Sequence, residues 1–171
     1  MSCETPLGEP VSAPSFDELL VRLTRAEVRF VLIGGLALGS WGVIRGTKDC
    51  DIVPEPAPDN LTRLAALAAE LGGHIQLGES LLGSERSIAS LLSQGERAFI
   101  ATQLGDLDVV QGLDGVPSYA ELRTRAIDVE LAGVAIPICA LEDLRAMKSA
   151  AGRPRDLVDL DELDAAQPGP G

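Results

Sequence analysis

The stretch FVLIGGLALGSWGVIRGTKDCDIVPE, from Phe30 to Glu55, limits what this chain can fold into more than any other. Phe30 to Ile33 is an apolar run of strand length, ended by Gly34 and Gly35. LALGSWGVI has helical spacing with weak propensity, and KDCDIVPE reads as a second strand stopped by Pro54. Within that strand Asp49 and Asp51 stand at i and i+2, so both side chains leave the same face, their Cα atoms about 6.5–7 Å apart. Cys50 and Ile52 then pack behind them. Two unscreened carboxylates at that separation push one pKa up. Something has to compensate them.

The rest of the chain alternates helical and strand patterns. Residues 1–14 carry three prolines and read as a disordered lead. SFDELLVRLTRAEV is a helix with Ser15 as N-cap and Glu18 completing a capping box; Phe16, Leu19, Leu20 and Leu23 line one face. PDNLTRLAALAAELGG is an amphipathic helix ending at Gly72, and residues 75–95 have no clear pattern. ERAFIAT and LGDLDVVQGL form an antiparallel hairpin turning around Gln103 to Gly105. SYAELRTRA is a short helix capped by Ser118 and Glu121, and DVELAGVAIPICA is strand, glycine turn and strand. LEDLRAMKSAAG is a helix closed by Gly152; PRDLVDLDELDAA is another with Pro154 in its first turn. This order predicts an α+β fold, a mixed sheet with helices packed mainly on one face, rather than a doubly wound parallel sheet. One domain is expected over 15–165, with an unstructured tail over 166–171.

Composition removes several function classes. The 171 residues suffice for one domain with a proper core, and 46% are apolar. No apolar run reaches membrane-spanning length, and the N-terminus lacks a basic region followed by an apolar one, so a soluble cytoplasmic protein without membrane partners is expected. Cys3, Cys50 and Cys139 are odd in number and form no C-x-x-C pair, which fits reduced thiols. His74 is the single histidine, with no G-x-S-x-G elbow to make a triad around it. A net charge of −12 argues against broad backbone-driven nucleic-acid binding. Local basic clusters remain: Arg22, Arg25 and Arg29, read as a solvated helix face, and Arg145, Lys148, Arg153 and Arg155.

GGLALGS fails two phosphate motifs on the residue that matters. Ser40 stands where a P-loop needs lysine, and Leu36 where the dinucleotide fingerprint needs glycine. A strand entering Gly-Gly and then a helix still presents free N–H groups to an anion; equally, Gly35 could serve only to let helix and strand approach. For Asp49 and Asp51 a divalent cation is the simplest compensation, since hard oxygens suit Mg²⁺. The alternative is an exposed pair on an edge strand. A third carboxylate in GDLDVV favours the metal, because two ions about 3.5–4 Å apart can stabilise both oxygens of a phosphoryl displacement. Asp106 and Asp108 share strand parity, and the apolar neighbours Leu107 and Val109 favour Asp108.

IGG followed thirteen residues later by DCDI resembles the hG[G/S]…Dh[D/E]h signature of the DNA polymerase beta-like nucleotidyltransferase superfamily, and LDV its third carboxylate strand. RGTKDCDIV is similar to the R-x-T-x-D-h-D-h form of minimal nucleotidyltransferases and AbiEii-type toxins of toxin–antitoxin systems. LEDLRAMKSAAGRPRDLVDLDEL resembles the K-x-x-x-x-R-x-x-D-h-x-D-h element of small proteins in that group. The likeness spans roughly residues 16 to 164.

The resemblance implies a nucleotidyltransferase fold and a site. Asp49, Asp51 and Asp108 would bind Mg²⁺, two ions with Mn²⁺ as a substitute, Asp108 also helping to activate the acceptor hydroxyl. Gly34 and Gly35 would form the phosphate turn, with Ser40 the nearest hydroxyl beyond it. Lys148 would approach the triphosphate, as would Arg45 and Thr47; Arg153 would either join them or pair with Asp156 or Asp159. The implied reaction moves NMP from an NTP such as ATP to a hydroxyl of tRNA, protein or a small molecule. A cognate toxin or antitoxin is an implied partner. The rival expectation is a non-catalytic subunit of such a pair. A metal-dependent phosphohydrolase would leave the Gly-Gly turn and Lys148 unexplained.

Overall fold

The apolar run Phe30–Ile33 becomes the middle of the sheet. In the computed structural model, which describes residues 13–168, β1 (Phe30–Ile33) is buried at all four positions. That is what a strand covered on both faces requires. It pairs antiparallel with β2 (Asp49–Pro54) on one side and parallel with β8 (Val134–Ile138) on the other. β6 (Gly105–Val109) lies parallel to β2, and the hairpin partners β5 (Ala98–Thr102) and β7 (Ile127–Leu131) close the two edges. The sheet therefore runs β5-β6-β2-β1-β8-β7, mixed in direction as expected.

Helices α1 (Phe16–Arg25), α2 (Gly34–Ser40), α3 (Pro58–Glu70) and α5 (Tyr119–Arg125) contribute Leu19, Leu23, Leu38, Leu64 and Leu122 to the core around Phe30 and Ile52. Burying each such side chain is worth about 1.5–3 kcal/mol against leaving it in water. Ser118 and Glu121 form the expected capping box on α5. At α1 the expectation fails: Ser15 makes no side-chain cap, and its N–H instead donates to the Leu104 carbonyl at 2.8 Å. The chain passes the β5–β6 turn as it enters α1, so the Ser15 N–H that the Glu18 carboxylate of a capping box would take is already bonded. Asn60, fully buried on α3, satisfies three backbone groups: its Oδ1 accepts from Arg29 N–H, and its Nδ2 donates to the carbonyls of Arg29 and Glu55. It thereby fastens the start of β1 to the end of β2.

The unpatterned stretch holds a small hairpin, β3 (Ile75–Leu77) with β4 (Ser80–Leu82), and the helix α4 (Glu85–Leu92). Ser84 caps α4 by accepting from Ser87 N–H, and only Ile88 and Leu92 of that helix are buried, too few to raise a clear period. At the other end α6 (Leu141–Ala151) stops at Gly152 in the left-handed conformation, and α7 (Pro154–Ala166) starts with proline in its first turn. The disordered lead expected over 1–14 falls mostly outside the described residues, as does the end of the tail. Among the described residues no helix is long and apolar enough to cross a membrane.

Candidate active site

Strand register brings the carboxylates together. β2 and β6 pair with Asp51 beside Asp108 and Asp49 beside Asp106, and β5 continues the first row with Phe99 opposite Asp108. Ligand oxygens of Asp49, Asp51 and Asp108 lie within 4.8 Å of one another. Asp108 is fully buried and the other two half-buried, while Asp106, one row away, is exposed. Parity alone could not separate Asp106 from Asp108; the register and burial put Asp108 in the cluster.

The cluster is under-compensated. Burial, first of all, raises the Asp51 carboxyl to about 8, aided by a hydrogen bond shared with Asp108 and by the charges of Asp49 and Asp108; Arg97 acts in the opposite direction. The donors are all hard oxygens, and their spacing could hold one divalent cation. Cys50, between the two β2 aspartates, is fully buried, and burial together with the three carboxylates pushes its thiol far up. It is core packing.

The Gly34–Gly35 turn abuts this cluster. Gly34 has φ +70°, and a Cβ there would sit 2.3 Å from Asp51 Oδ2. A Cβ on Gly35 would meet Thr47 Oγ1 at 2.8 Å. Both glycines are therefore required for the start of α2 to lie against the carboxylate strand. A cleft of about 310 Å³ opens there and collects Gly34, Gly35, Arg45, Thr47, Asp49, Asp51, Lys148 and Arg153. Thr47 donates to the Asp49 carbonyl at 3.1 Å, which steadies the approach to β2. Ser40, at the far end of α2, is exposed and does not line the cleft.

The cations expected at a triphosphate are largely committed to α7. Lys148 Nζ, buried, lies 2.8 Å from Asp159 and 3.2 Å from Asp156. Arg45 holds Asp159 through two hydrogen bonds of 2.7 and 2.9 Å, and Arg153 holds Asp156. These partners keep both carboxyls below the usual aspartate range, although burial, the largest single influence, acts the other way. Three cations against two carboxylates leave the wall with a positive balance. Lys48 and Arg155 also line the cleft, and neither has a carboxylate partner among the described residues.

Sequence reasoning missed Arg97 and Lys48. Arg97 lies one pair beyond the Ala98–Val109 pair of the hairpin and reaches diagonally to Asp108, donating from Nε at 3.0 and 3.2 Å with a second bond from Nη2. The tight β5–β6 turn fixes the hairpin register, and counting back from it places this arginine beside the carboxylate. Lys48 carries a weaker signal, adjacency to Asp49.

A scan against protein-family models gives no match, and neither does a search of curated proteins. Solved structures do match. The lincosamide antibiotic adenylyltransferase LnuA, in its lincomycin-bound form, superposes with a TM-score of 0.63 at 14% identity over 93% of this chain and 100% of its own. The fold is that of the nucleotidyltransferases. An antigenic nucleotidyltransferase-like protein from Paracoccidioides brasiliensis gives 0.58 at 16% identity, over 87% and 73% of the two chains. The antibiotic-resistance factor ANT(2'')-Ia gives 0.57 at 14%, over 88% and 81%. At such identities the likeness concerns the fold.

Proposed function

We propose that this protein is a metal-dependent nucleotidyltransferase that moves NMP from an NTP to a hydroxyl acceptor with release of pyrophosphate. The observation that carries the reading is the convergence of Asp49, Asp51 and Asp108 beside a glycine turn that cannot bear a side chain. A binding module has no need of three mutually repelling carboxylates at one point, which disfavours the non-catalytic alternative.

In this reading Asp49, Asp51 and Asp108 hold Mg²⁺ or Mn²⁺. The bound cation would neutralise the carboxylates and the charge developing on the transferred phosphoryl group. The Gly34–Gly35 backbone faces the triphosphate, and Arg45, Thr47 and Lys148 line the same cleft. Lys148 and Arg45 act mainly by holding the α7 wall positive and in place, since both share their charge with Asp159. Lys48 and Arg155 are the freer cations for the departing pyrophosphate. Asp108, the most buried of the trio, would take part in activating the hydroxyl. Residues 15–165 act as one domain. A toxin–antitoxin role rests on the R-x-T-x-D-h-D-h resemblance of RGTKDCDIV; co-purification of a small inhibitory partner would support it. A cytoplasmic location agrees with the buried, unbridged Cys50 and Cys139.

The test is incubation with Mg²⁺ and each α-labelled NTP, offering tRNA, lysate protein and small hydroxylated molecules as acceptors. Transfer is expected to one acceptor class and to vanish in Asp49→Ala/Asp51→Ala. Transfer that survives in the double variant refutes the mechanism.

A further inference from the structure

A second cleft, about 540 Å³, opens on the other side of the carboxylates. It shares Asp49 and Arg97 with the glycine-turn cleft and is also lined by Asp108. Much of the rest of its wall is edge strand and hairpin, Phe99 on β5 with Ile75 and Leu77 on β3, joined by His74, Glu96 and Asp106 and by Leu91 at the end of α4. Phe99 is 58% exposed although it stands in the same cross-strand row as Asp51 and Asp108. Arg97 lies over its ring, 4.6 Å from the centroid. A phenylalanine in that row adds little to the core. It offers a flat apolar surface one strand away from the reacting carboxylate.

The two clefts differ in sign. The glycine-turn side sets Arg45, Lys48, Lys148, Arg153 and Arg155 against Asp49, Asp51 and Asp156, a cationic excess. The second side is lined by Asp49, Glu96, Asp106 and Asp108, with Arg97 as its one firm cation and that cation already bound to Asp108. In-line displacement at phosphorus places the entering and leaving oxygens on opposite sides. With the triphosphate in the basic cleft, the acceptor approaches through the acidic one.

Resting on the nucleotidyltransferase reading, we infer that the second cleft takes a small hydroxyl-bearing acceptor with a protonated amine and an apolar face. A polynucleotide is a poor occupant, because its phosphates would meet Glu96, Asp106 and Asp49. The volume is that of a site for a drug-sized molecule. Phe99 and Leu77 take the apolar face, Glu96 and Asp106 the ammonium, and the hydroxyl points to Asp108. The transfer forms an oxygen–phosphorus bond at that hydroxyl and breaks the bond to pyrophosphate, with the hydroxyl proton leaving toward the carboxylates.

A matched pair of probes tests this on the full-length protein: 2-amino-1-phenylethanol, protonated at pH 7, against neutral 1-phenylethane-1,2-diol, each titrated by protein NMR. The amine is expected to bind roughly fivefold tighter, the contribution of about one partly exposed ion pair. That preference disappears in Glu96→Gln/Asp106→Asn, while Phe99→Ala weakens both probes. Equal binding of the pair, or a preference untouched by the double variant, overturns the inference, as does label transfer to tRNA faster than to small amino alcohols. Mg²⁺-dependent binding of each of the common NTPs is measured in the same samples. Intact binding of one NTP without amine preference refutes the acceptor class alone. Amine preference without binding of any NTP refutes the transferase reading and, with it, the acceptor role.

Discussion

Arg97 is the cation that the metal-free cluster has in hand, and replacing it by glutamine measures what it does there. The guanidinium holds Asp108 through both Nε and Nη2; Asp108 is fully buried, whereas the Arg97 side chain is 37% exposed. Breaking a fully buried pair costs about 3–5 kcal/mol, and an exposed one is worth about 0.2–1. With one end buried and the other at the surface, Arg97→Gln should cost about 1–3 kcal/mol in metal-free buffer. A divalent ion bound to the same carboxylate removes most of that dependence, because its charge replaces the arginine's. Urea unfolding in EDTA and in saturating Mg²⁺ therefore separates the two roles. The variant should lose about 1–3 kcal/mol in EDTA, recover most of it with Mg²⁺, and bind Mn²⁺ more tightly than the wild type in a direct titration. An equal loss in both buffers, or weaker Mn²⁺ binding in the variant, would refute the idea that arginine and ion compete for Asp108.

Other consequences are equally direct. Because the native Asp51 carboxyl is raised to about 8, it retains a proton that the unfolded chain releases near pH 4, so its contribution to metal-free stability falls as pH rises from about 4 to 8 and levels off above. The melting-temperature difference between wild type and Asp51→Asn should decline over that window, and Mg²⁺ should stabilise the wild type most at its upper end; a flat difference refutes this. Gly34→Ala places a methyl 2.3 Å from Asp51 Oδ2 at φ +70°, so it should cost at least about 1–2 kcal/mol from backbone strain alone and weaken Mn²⁺ binding. Gly39→Ala, whose Cβ meets nothing within 4 Å, should be neutral or slightly stabilising in the same urea assay. Lys148→Met removes a buried cation from between Asp156 and Asp159 and should cost about 3 kcal/mol by urea unfolding, where a surface lysine would cost almost nothing.

Much of the fold was legible because its middle is written in short, strongly typed segments. Phe30–Ile33 is apolar throughout because all four of its side chains are buried and neither face of the strand meets water, and the Asp49/Asp51 alternation survives because one face of β2 opens to a cleft. Hairpin β5–β6 and the capped α5 likewise followed from local chemistry. The failures have local causes too. Ser15 lost its capping role to a tertiary hydrogen bond with Leu104. The β3–β4 hairpin and α4 bury few side chains, so their sequences carry little period. At the site, spacing indicated which carboxylates converge but not what the nearby cations already hold. Lys148 and Arg45 read as phosphate ligands until Asp159, 114 residues beyond Arg45 in sequence, is seen between them. Such charge sharing depends on how α7 docks.

That docking divides the site into two mechanical parts. The carboxylates are fixed by backbone pairing in the middle of a six-stranded sheet, among the last places to open in a folded domain. The opposite wall includes α7, which buries only Asp156, Asp159 and Leu163 and is tied to α6 through Lys148 and to the segment before β2 through Arg45–Asp159 and Arg155–Gly46. Amide exchange along α7 should therefore run ahead of that in β2 and β6. α7 can fray while the aspartates keep their spacing, so the far wall of the cleft yields before its carboxylate floor does.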